Sequence, residues 1–368
     1  FPYQVVEYPA SHTTVADQYR VGLPIGPKFR KKIAELSPHI VHSHTPFVSG
    51  LLGQEIADRK RVPHVSTFHS KYKDDLRQRM KFPNDVSDEL VMNYIAHHYK
   101  RCDAVWAVSH GTADTLRSYG FNGKITVMPN GSDMQPKFRN EDVRKQIATE
   151  YGLNAKKPIF LFVGRLTQLK NIHLIAMALG ALKRSDREFS MLFVGGGEDE
   201  EKLAALIKEN ELEHCVKLAG KVMDREKLRD IYSSCDLFVF PSVYDNAPLV
   251  VREAAACGCA SLLVKGSNSA EGITNGVNGI LVEERIEDIA LGINDALTKY
   301  DLSKLGENAR RDIYIHWDDV LKMVTDEYQR IITDWTPKPK NKILRPFADI
   351  DLLQEIRDAM PKLYQLLT

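Results

Sequence analysis

Four features are scarce or absent in this chain of 368 residues, and each absence argues against a class of protein. No apolar run approaches the roughly 20 residues of a membrane-spanning helix, and no signal-peptide pattern opens the chain. The five cysteines form no Cys-x-x-Cys pair, which favours a reducing compartment over a disulfide framework. With 50 basic and 49 acidic residues, no net field attracts nucleic acid. We therefore expect a cytoplasmic protein with no nucleic-acid partner, while contact with the inner face of the membrane stays open.

Short apolar runs alternate with helical patterns along most of the chain, which is typical of parallel sheets covered by helices. Strands are predicted in the first part of the chain at 39–44, 64–69, 104–109 and 124–130. From residue 158 the same alternation of apolar runs and helical patterns begins again. Strands are predicted there at 158–165, 190–197, 215–222, 236–242, 260–266 and 279–284. The sequence therefore predicts an α/β protein built from two doubly wound domains.

The predicted domains are 1–134 and 135–334, and a return segment follows at 335–368. The return segment has a Pro- and Lys-rich hinge before an amphipathic helix, and we expect it to pack on the first domain. The first domain begins abruptly, because FPYQVVEYPASH has no cap or polar lead-in. This opening is predicted to be the interior of a strand.

Two cations lie where one predicted strand ends and a helix begins. Gly164 and Arg165 leave the apolar stretch IFLFV, and Lys170 precedes a helix predicted to start near Ile172. Ligands of open parallel sheets bind outside the carboxyl ends of the strands, where helix N-termini favour anions. The spacing therefore indicates an anion site, although both cations could equally be solvated loop charges.

Two carboxylates lie eight residues apart in a second group of polar residues. An apolar strand ends at Pro241, and Asp245 lies in the loop that follows it. A helix is predicted from 248 to 258, with Glu253 inside it. Burying this carboxylate in an apolar helix would be costly without a partner. The partner is predicted to be Arg252, another cation or a hydroxyl-rich ligand.

Both groups of residues resemble motifs of a known enzyme family. GRLTQLKNI (164–172) is similar to its Arg...Lys diphosphate motif, and Asp245 with Glu253 is similar to its Glu(x7)Glu motif. The likeness continues through VMPNGSD, FVGGGEDEEKL, LRDIYSSCDLFVFPS and GVNGILV, and more loosely through IVHSHTPF, STFHS and AVWAVSHGTADTL. The chain thus resembles the retaining, nucleotide-sugar-dependent glycosyltransferases of the GT-B fold, of the group 1, family 4 type.

The resemblance implies a fold and a reaction. Two Rossmann-like domains would face a central cleft, and a hexose would pass from UDP- or GDP-hexose to a lipid, glycan or protein acceptor with retention of configuration. The nucleotide sugar would be a substrate, with no permanently bound cofactor and no metal ion. In this family the residues that match Arg165 and Lys170 hold the diphosphate and stabilise the charge that develops on it.

The resemblance also implies roles for the other site residues. Glu253 would accept hydrogen bonds from the ribose, Asp245 would face the transferred sugar, and His69 would lie near the reacting carbon or the primary hydroxyl of that sugar. The implied catalytic set is His69, Arg165, Lys170 and Asp245. The implied donor-binding set contains Gly164, Arg165, Lys170, Gly196, Val222, Asp245, Leu249, Val250 and Glu253.

This sequence differs from the pattern of the family in three ways. Asp245 is one methylene shorter than the family's glutamate, and Ala247 with Pro248 replaces its usual Phe-Gly. Because proline lacks the backbone N–H that the family directs at the donor, we expect an unusual choice of donor sugar. The family's first strand and glycine-rich loop do not precede FPYQVVEYPA, so we expect either a longer natural chain or a protein that acts without this loop.

Several alternative interpretations stay open. A non-catalytic glycosyltransferase-like subunit would keep the nucleotide site and serve a partner enzyme, whereas a nucleotide-sugar epimerase would need a set of residues that the sequence does not show. His42, His44 and His69 could hold a metal ion, but no carboxylate or thiol lies at ligand spacing. The basic stretch 71–82 could bind an anionic head group or be a solvated helix face. Ser109 is expected to cap the helix that follows it.

Overall fold

The computed structural model describes residues 3–8, 10–15, 19–22, 24–73 and 85–337. These residues form two compact units, one made of residues up to 128 together with those from 323 onward, and the other of residues 129–322. Residues 74–82 of the basic stretch and residues 338–368 of the predicted return segment lie outside the described residues. No helix within the described ranges is long and apolar enough to cross a membrane.

The first unit begins with an antiparallel hairpin and continues with a parallel sheet whose neighbouring strands follow the chain order. The hairpin strands are β1 (Ala10–Val15) and β2 (Tyr19–Gly22). The parallel strands are β3 (Val41–Ser43), β4 (His64–Phe68), β5 (Ala104–Ala107) and β6 (Thr126–Val127). The helices are α1 (Pro27–Glu35), α2 (Val48–Lys60), α3 (Asp85–Arg101) and α4 (His110–Ser118).

Alternation along β4 supplies side chains to two apolar clusters, because successive residues of a strand point to opposite faces. Val65 packs in one cluster with Trp106 and Ile331. Phe68, three residues later, packs in the other with Tyr99 and its neighbours. The sheet of the first unit is therefore covered on two sides, as the apolar runs predicted.

The first described residues of the chain do not form the strand interior that the sequence predicted. Residues 4–8 have no strand structure, and the first strand begins at Ala10. Its partner β2 ends at Gly22, directly opposite Ala10, so no described strand runs beside residues 4–8. Tyr8 is held instead by side-chain packing, with its ring centroid 5.5 Å from that of Phe29.

The second unit contains a six-stranded parallel sheet in the order β12-β11-β10-β7-β8-β9. The strands are β7 (Ile159–Val163), β8 (Ser190–Val194), β9 (Val216–Leu218), β10 (Leu237–Phe240), β11 (Ala260–Val264) and β12 (Ile280–Val282). The helices are α5 (Glu141–Tyr151), α6 (Ile172–Arg184), α7 (Glu200–Glu209), α8 (Arg225–Ser234), α9 (Leu249–Ala256), α10 (Ile286–Thr298) and α11 (Leu302–Asp312). A last helix, α12 (Trp317–Asp334), begins in the second unit, and its residues from 323 onward belong to the first. Short 3-10 turns occupy Gln168–Lys170 and Asn268–Ala270. Each apolar run predicted from residue 158 onward contains one of these strands, so that prediction is confirmed.

Helix α9 is shorter than the predicted range of 248 to 258. Pro248 precedes the helix in an extended conformation, with φ −68° and ψ 128°. At the other end Gly258 has φ +67°, a left-handed conformation that glycine adopts without strain and that ends a helix. The proline therefore lies before the first turn and not within it.

Candidate functional site

The strand order of the second unit reverses between β7 and β10, the two central strands. The chain moves outward on one side from β7 to β8 and β9, and on the other from β10 to β11 and β12. Ligands of doubly wound sheets bind in the crevice that opens at such a reversal, at the carboxyl ends of the strands. The loop after β7 carries Arg165 and Lys170, and the loop after β10 carries Asp245. The topology therefore brings the two predicted motifs to the same crevice.

Lys170 and Asp245 form an ion pair across this crevice, although they are 75 residues apart in sequence. The other carboxylate oxygen of Asp245 accepts a hydrogen bond of 2.6 Å from the Ser242 hydroxyl. The Lys170 ammonium also lies 5.7 Å from the ring centroid of Phe240 and 5.8 Å from that of Tyr244. Both partners of the ion pair are mostly buried. The pair is therefore held in one geometry and is not a freely solvated surface contact.

Arg165 has different surroundings from Lys170. Its side chain is exposed, and it forms no side-chain hydrogen bond or ion pair with any residue that the structure describes. Its backbone carbonyl accepts a 2.9 Å hydrogen bond from the amide of Thr167, which tightens the loop. The guanidinium is thus a cation at the mouth of the crevice that is available to an anionic ligand.

The glycine-rich turn after β8 packs directly on the Arg165 loop. A side chain on Gly195 would place its Cβ 1.8 Å from the carbonyl oxygen of Gly164, and one on Gly197 would place it 2.3 Å from that of Leu166. The amide of Leu166 donates to the Gly196 carbonyl at 3.1 Å, which joins the two loops. Glycine is required here because two backbones approach too closely for any side chain.

Asp199 closes the same turn, and sequence reasoning did not single it out. Its carboxylate accepts hydrogen bonds from the Gln168 amide at 2.7 Å and from Lys202 at 2.6 Å. Its own amide donates to the Leu166 carbonyl at 3.1 Å. A carboxylate two residues after three glycines was the available signal, and Asp199 links the turn after β8 to the loop that carries Lys170.

Glu253 is buried, with 6% of its surface exposed, and it has two partners from α8. The Tyr232 hydroxyl donates to one carboxylate oxygen at 3.1 Å, and the Arg225 guanidinium lies 3.0 Å from the other. Arg225 also pairs with Asp133. Burial first, and then the charge of Glu253, raises the pKa of Tyr232 well above its usual value, so the phenol stays protonated as the donor.

The partner of Glu253 is therefore not Arg252, which the sequence offered as a candidate. The Arg252 guanidinium instead donates to the backbone carbonyl of Ile313 at 2.5 Å. Arg225 and Tyr232 were both missed, although they lie seven residues apart in α8 and hence on one helical face. A seven-residue spacing of a cation and a phenol was the signal that could have found them.

The remaining predicted donor residues lie on the segments around the crevice. Val222 is half-buried against the core after β9, and Leu249 and Val250 form the first turn of α9. Backbone N–H groups in the first turn of a helix have no partner within the helix. The loop before α9 is fastened by Asn130, whose amide donates to the Ala247 carbonyl at 3.2 Å.

His69 belongs to the first unit, where it follows β4. One of its ring nitrogens shares a 2.9 Å hydrogen bond with His44. Burial, together with the charge of His44, lowers the pKa of His69 to about 4. His42 turns to other partners, the Tyr328 hydroxyl at 2.5 Å and the Thr67 hydroxyl at 2.7 Å. Nowhere in the described ranges do three His, Cys, Asp or Glu side chains converge as a metal site.

Ser109 caps α4, as predicted. Its side chain accepts a hydrogen bond of 3.0 Å from the backbone amide of Thr112 and shares a 2.6 Å hydrogen bond with the Thr112 hydroxyl. The residue is buried and extended, with φ −162° and ψ 164°, which is the usual conformation of a helix N-cap.

Comparison with known proteins identifies the family. Residues 143–312 match the family model of glycosyl transferases group 1, and residues 2–135 match that of glycosyltransferase family 4. The chain is 27% identical over 316 residues to alpha-maltose-1-phosphate synthase of Mycolicibacterium smegmatis, covering 79% of each chain. It is 22% identical over 289 residues to alpha-monoglucosyldiacylglycerol synthase of Acholeplasma laidlawii, covering 77% of this chain and 72% of the relative.

A solved structure has the same fold. The Anabaena protein HepE in complex with UDP superposes with a TM-score of 0.69 at 17% identity, over 82% of this chain and 81% of that one. The reversal of strand order, the Arg165 and Lys170 loop and the buried Glu253 are thus found in a chain whose two parts match two glycosyltransferase models. The chain belongs to the group 1, family 4 type of glycosyltransferases, which have the GT-B fold.

Proposed function

We propose that this glycosyltransferase moves a hexose from a UDP- or GDP-hexose to a hydroxyl acceptor, with retention of configuration and without a metal ion. The observation that carries the proposal is the Lys170–Asp245 pair at the reversal of strand order. In this pair an ammonium, which we propose faces the diphosphate, lies beside a carboxylate, which we propose faces sugar hydroxyls. A nucleotide sugar is the ligand class that presents both groups to one site.

Arg165 and Lys170 are proposed to hold the diphosphate. The exposed Arg165 guanidinium can bind phosphate oxygens in a bidentate manner, and the Lys170 ammonium acts as a point charge. As the glycosidic bond breaks, negative charge grows on the diphosphate, so fixed cations stabilise the transition state more than the ground state. Asp245 and the two nearby rings restrict the position of the ammonium. These two cations supply the role that a metal ion has in other nucleotide-dependent enzymes.

Glu253 is proposed to bind the ribose, and Asp245 the transferred hexose. An ionised carboxylate only accepts hydrogen bonds, which suits the hydroxyl groups of both sugars. Tyr232 and Arg225 orient the Glu253 carboxylate from one side. For His69 we propose the family role near the reacting carbon, in its neutral form, since its pKa of about 4 leaves the ring uncharged at neutral pH.

The stereochemical proposal has support from the names of the relatives. Both alpha-maltose-1-phosphate synthase and alpha-monoglucosyldiacylglycerol synthase are named for alpha-linked products. Transfer with retention from an α-linked nucleotide sugar gives an α-linked product. One name contains a phosphosugar and the other a diacylglycerol, so saccharide and lipid acceptors are both to be tested.

The test is a donor screen with UDP- and GDP-linked glucose, galactose and mannose. Released nucleotide is measured without acceptor and with maltose, glucose 1-phosphate or diacylglycerol vesicles, and NMR reports the configuration of the product. We expect turnover with one base and an α-linked product, and at least a hundredfold lower rate in Lys170→Ala. Lys208→Ala, an exposed lysine of α7, is the matched control. Nucleotide binding without turnover under every condition would favour the non-catalytic subunit, and a β-linked product would refute retention.

A further inference from the structure

A second concave site lies at the opposite edge of the sheet of the second unit. This cavity of about 570 Å³ is lined by the segments that lead into β7, β8 and β9, together with part of α5. It therefore lies at the amino ends of these strands, whereas the candidate donor site lies at their carboxyl ends. The five residues of β7 separate the two edges by about 16 Å at the usual rise per residue. The cavity shares no lining residue with the site described above.

The lining of the cavity is strongly basic. It contains five side chains that are positive at neutral pH and one carboxylate, in a chain whose formal net charge is only +1. The cations are Lys145, Lys156, Lys157, Lys183 and Arg187, and the carboxylate is Glu188. Such a local excess of one sign raises the concentration of anions in the cavity.

The carboxylates that pair with these cations are exposed to solvent. Lys157 donates to Glu188 at 2.8 Å, and Lys183 lies 3.1 Å from Glu211, with 73% and 85% of the two acidic side chains exposed. Ion pairs of this kind contribute little, so a phosphate can replace them at small cost. Lys156 is not paired with any carboxylate of the described residues.

Helix C-termini explain only part of this charge. The carboxyl ends of α5 and α6 lie at this edge of the sheet, where cations interact favourably with the helix dipole. That accounts for Lys183, in the last turn of α6. Lys156, Lys157 and Arg187 lie in the connecting segments outside both helices. Their convergence on one cavity therefore needs another reason.

We propose that this cavity binds a small phosphorylated molecule with at least two phosphate groups. Its volume is that of a typical small-molecule site, and its concave shape suits a discrete ligand better than a membrane plane. Lysines bind phosphate as point charges, and Arg187 can bind it in a bidentate manner. The site is distinct from the donor site, and the proposal does not depend on the proposed transferase reaction.

The test is calorimetric titration with fructose 1,6-bisphosphate and with inorganic pyrophosphate, in a background protein that carries Arg165→Ala and Lys170→Ala and into which the variants below are introduced. These two replacements remove the cations proposed for the donor site, so that the remaining binding reports on the second cavity. We expect saturable binding of either probe, and at least a tenfold loss of affinity in the double variant Lys156→Ala, Arg187→Ala. The matched control is Lys304→Ala, Lys322→Ala, which removes the same charge from exposed positions of the second unit and should bind as the parent.

Four results would overturn the proposal. These are no saturable binding of either probe, equal loss in the two double variants, binding of the probes to the parent but not to the Arg165→Ala, Lys170→Ala background, and binding to anionic phospholipid vesicles in place of the free probes. Thermal unfolding of both double variants confirms that each is folded. All four replaced side chains lie at the surface, where such changes usually alter stability by less than about 0.5 kcal/mol.

Discussion

The replacement Glu253→Gln tests the ribose role, because it removes a charge while the size and shape of the side chain stay the same. The Glu253 carboxylate accepts from the Tyr232 hydroxyl at 3.1 Å and lies 3.0 Å from the Arg225 guanidinium. These donors fix the carboxylate in one orientation. A glutamine would present an N–H donor to one of them, because an amide has only one oxygen. The hydroxyls of a bound ribose would then lose their charged acceptor.

We expect Glu253→Gln to weaken the binding of UDP or GDP by roughly ten- to a hundredfold. A hydrogen bond to a charged group contributes about 1.5 to 3 kcal/mol, and each 1.4 kcal/mol is about a factor of ten in Kd. The nucleotide sugar should lose the same factor, since it carries the same ribose. Turnover at saturation should change less, because the ribose is bound alike in the ground and transition states.

Calorimetry with bare nucleotide measures this loss, and thermal unfolding shows whether the variant stays folded. The matched control is Tyr232→Phe, which removes one donor and keeps the carboxylate, so that nucleotide affinity should fall by less than tenfold. A folded Glu253→Gln protein that binds UDP and GDP as tightly as the parent would refute the ribose role. If Glu253→Gln and Tyr232→Phe lost the same nucleotide affinity, the packing around the carboxylate, and not its charge, would determine the affinity.

Lys170→Ala should lower kcat by about 10² to 10³, the scale for removing one preorganised charge, and transfer at the parental rate would reject the diphosphate role. Asp245→Asn should slow transfer while bare nucleotide binds nearly as in the parent, which turnover and calorimetry measure separately. Acid should destabilise the first unit: burial lowers the pKa of His64 to about 3 and that of His98 to about 4. Unfolded histidines titrate near pH 6.5, so the unfolded state takes up protons first and stability falls as the pH drops below that value. His64 alone should cost about 2 kcal/mol at pH 5, and equal urea midpoints at neutral pH and pH 5 would contradict this.

The parallel strands could be predicted because of where they lie. Each strand of the second unit is covered by helices, so that nearly every position along β7 and β8 is buried and apolar, and a continuous apolar run identifies it. The hairpin strands β1 and β2 were missed for the opposite reason. Their sequences, ASHTTV and YRVG, mix polar and apolar residues and contain no continuous apolar run to detect.

The contacts of the site could be predicted only in part. The ends of the predicted strands located the loops that carry Lys170 and Asp245. The direct pairing of these two residues, however, depends on β7 lying beside β10, although β8 and β9 come between them in the sequence. Nothing local in the sequence encodes that adjacency. Arg225 likewise lies 28 residues before Glu253, and only the packing of α8 against α9 brings them together. The sequence shows the residue types, but it does not show which strands and helices lie side by side, and that adjacency was the missing information.

The two carboxylates of the motif have different surroundings, and this difference supports their different proposed roles. Asp245 lies in a loop, where an ammonium and a hydroxyl hold it beside the cations of the crevice. Glu253 is the fifth residue of α9, where a buried phenol and a guanidinium orient it. The seven residues between them comprise the end of a loop and the first turn of a helix. That spacing puts one carboxylate in the loop and the other one helical turn into α9, which supports the proposal that different parts of one extended ligand meet the two.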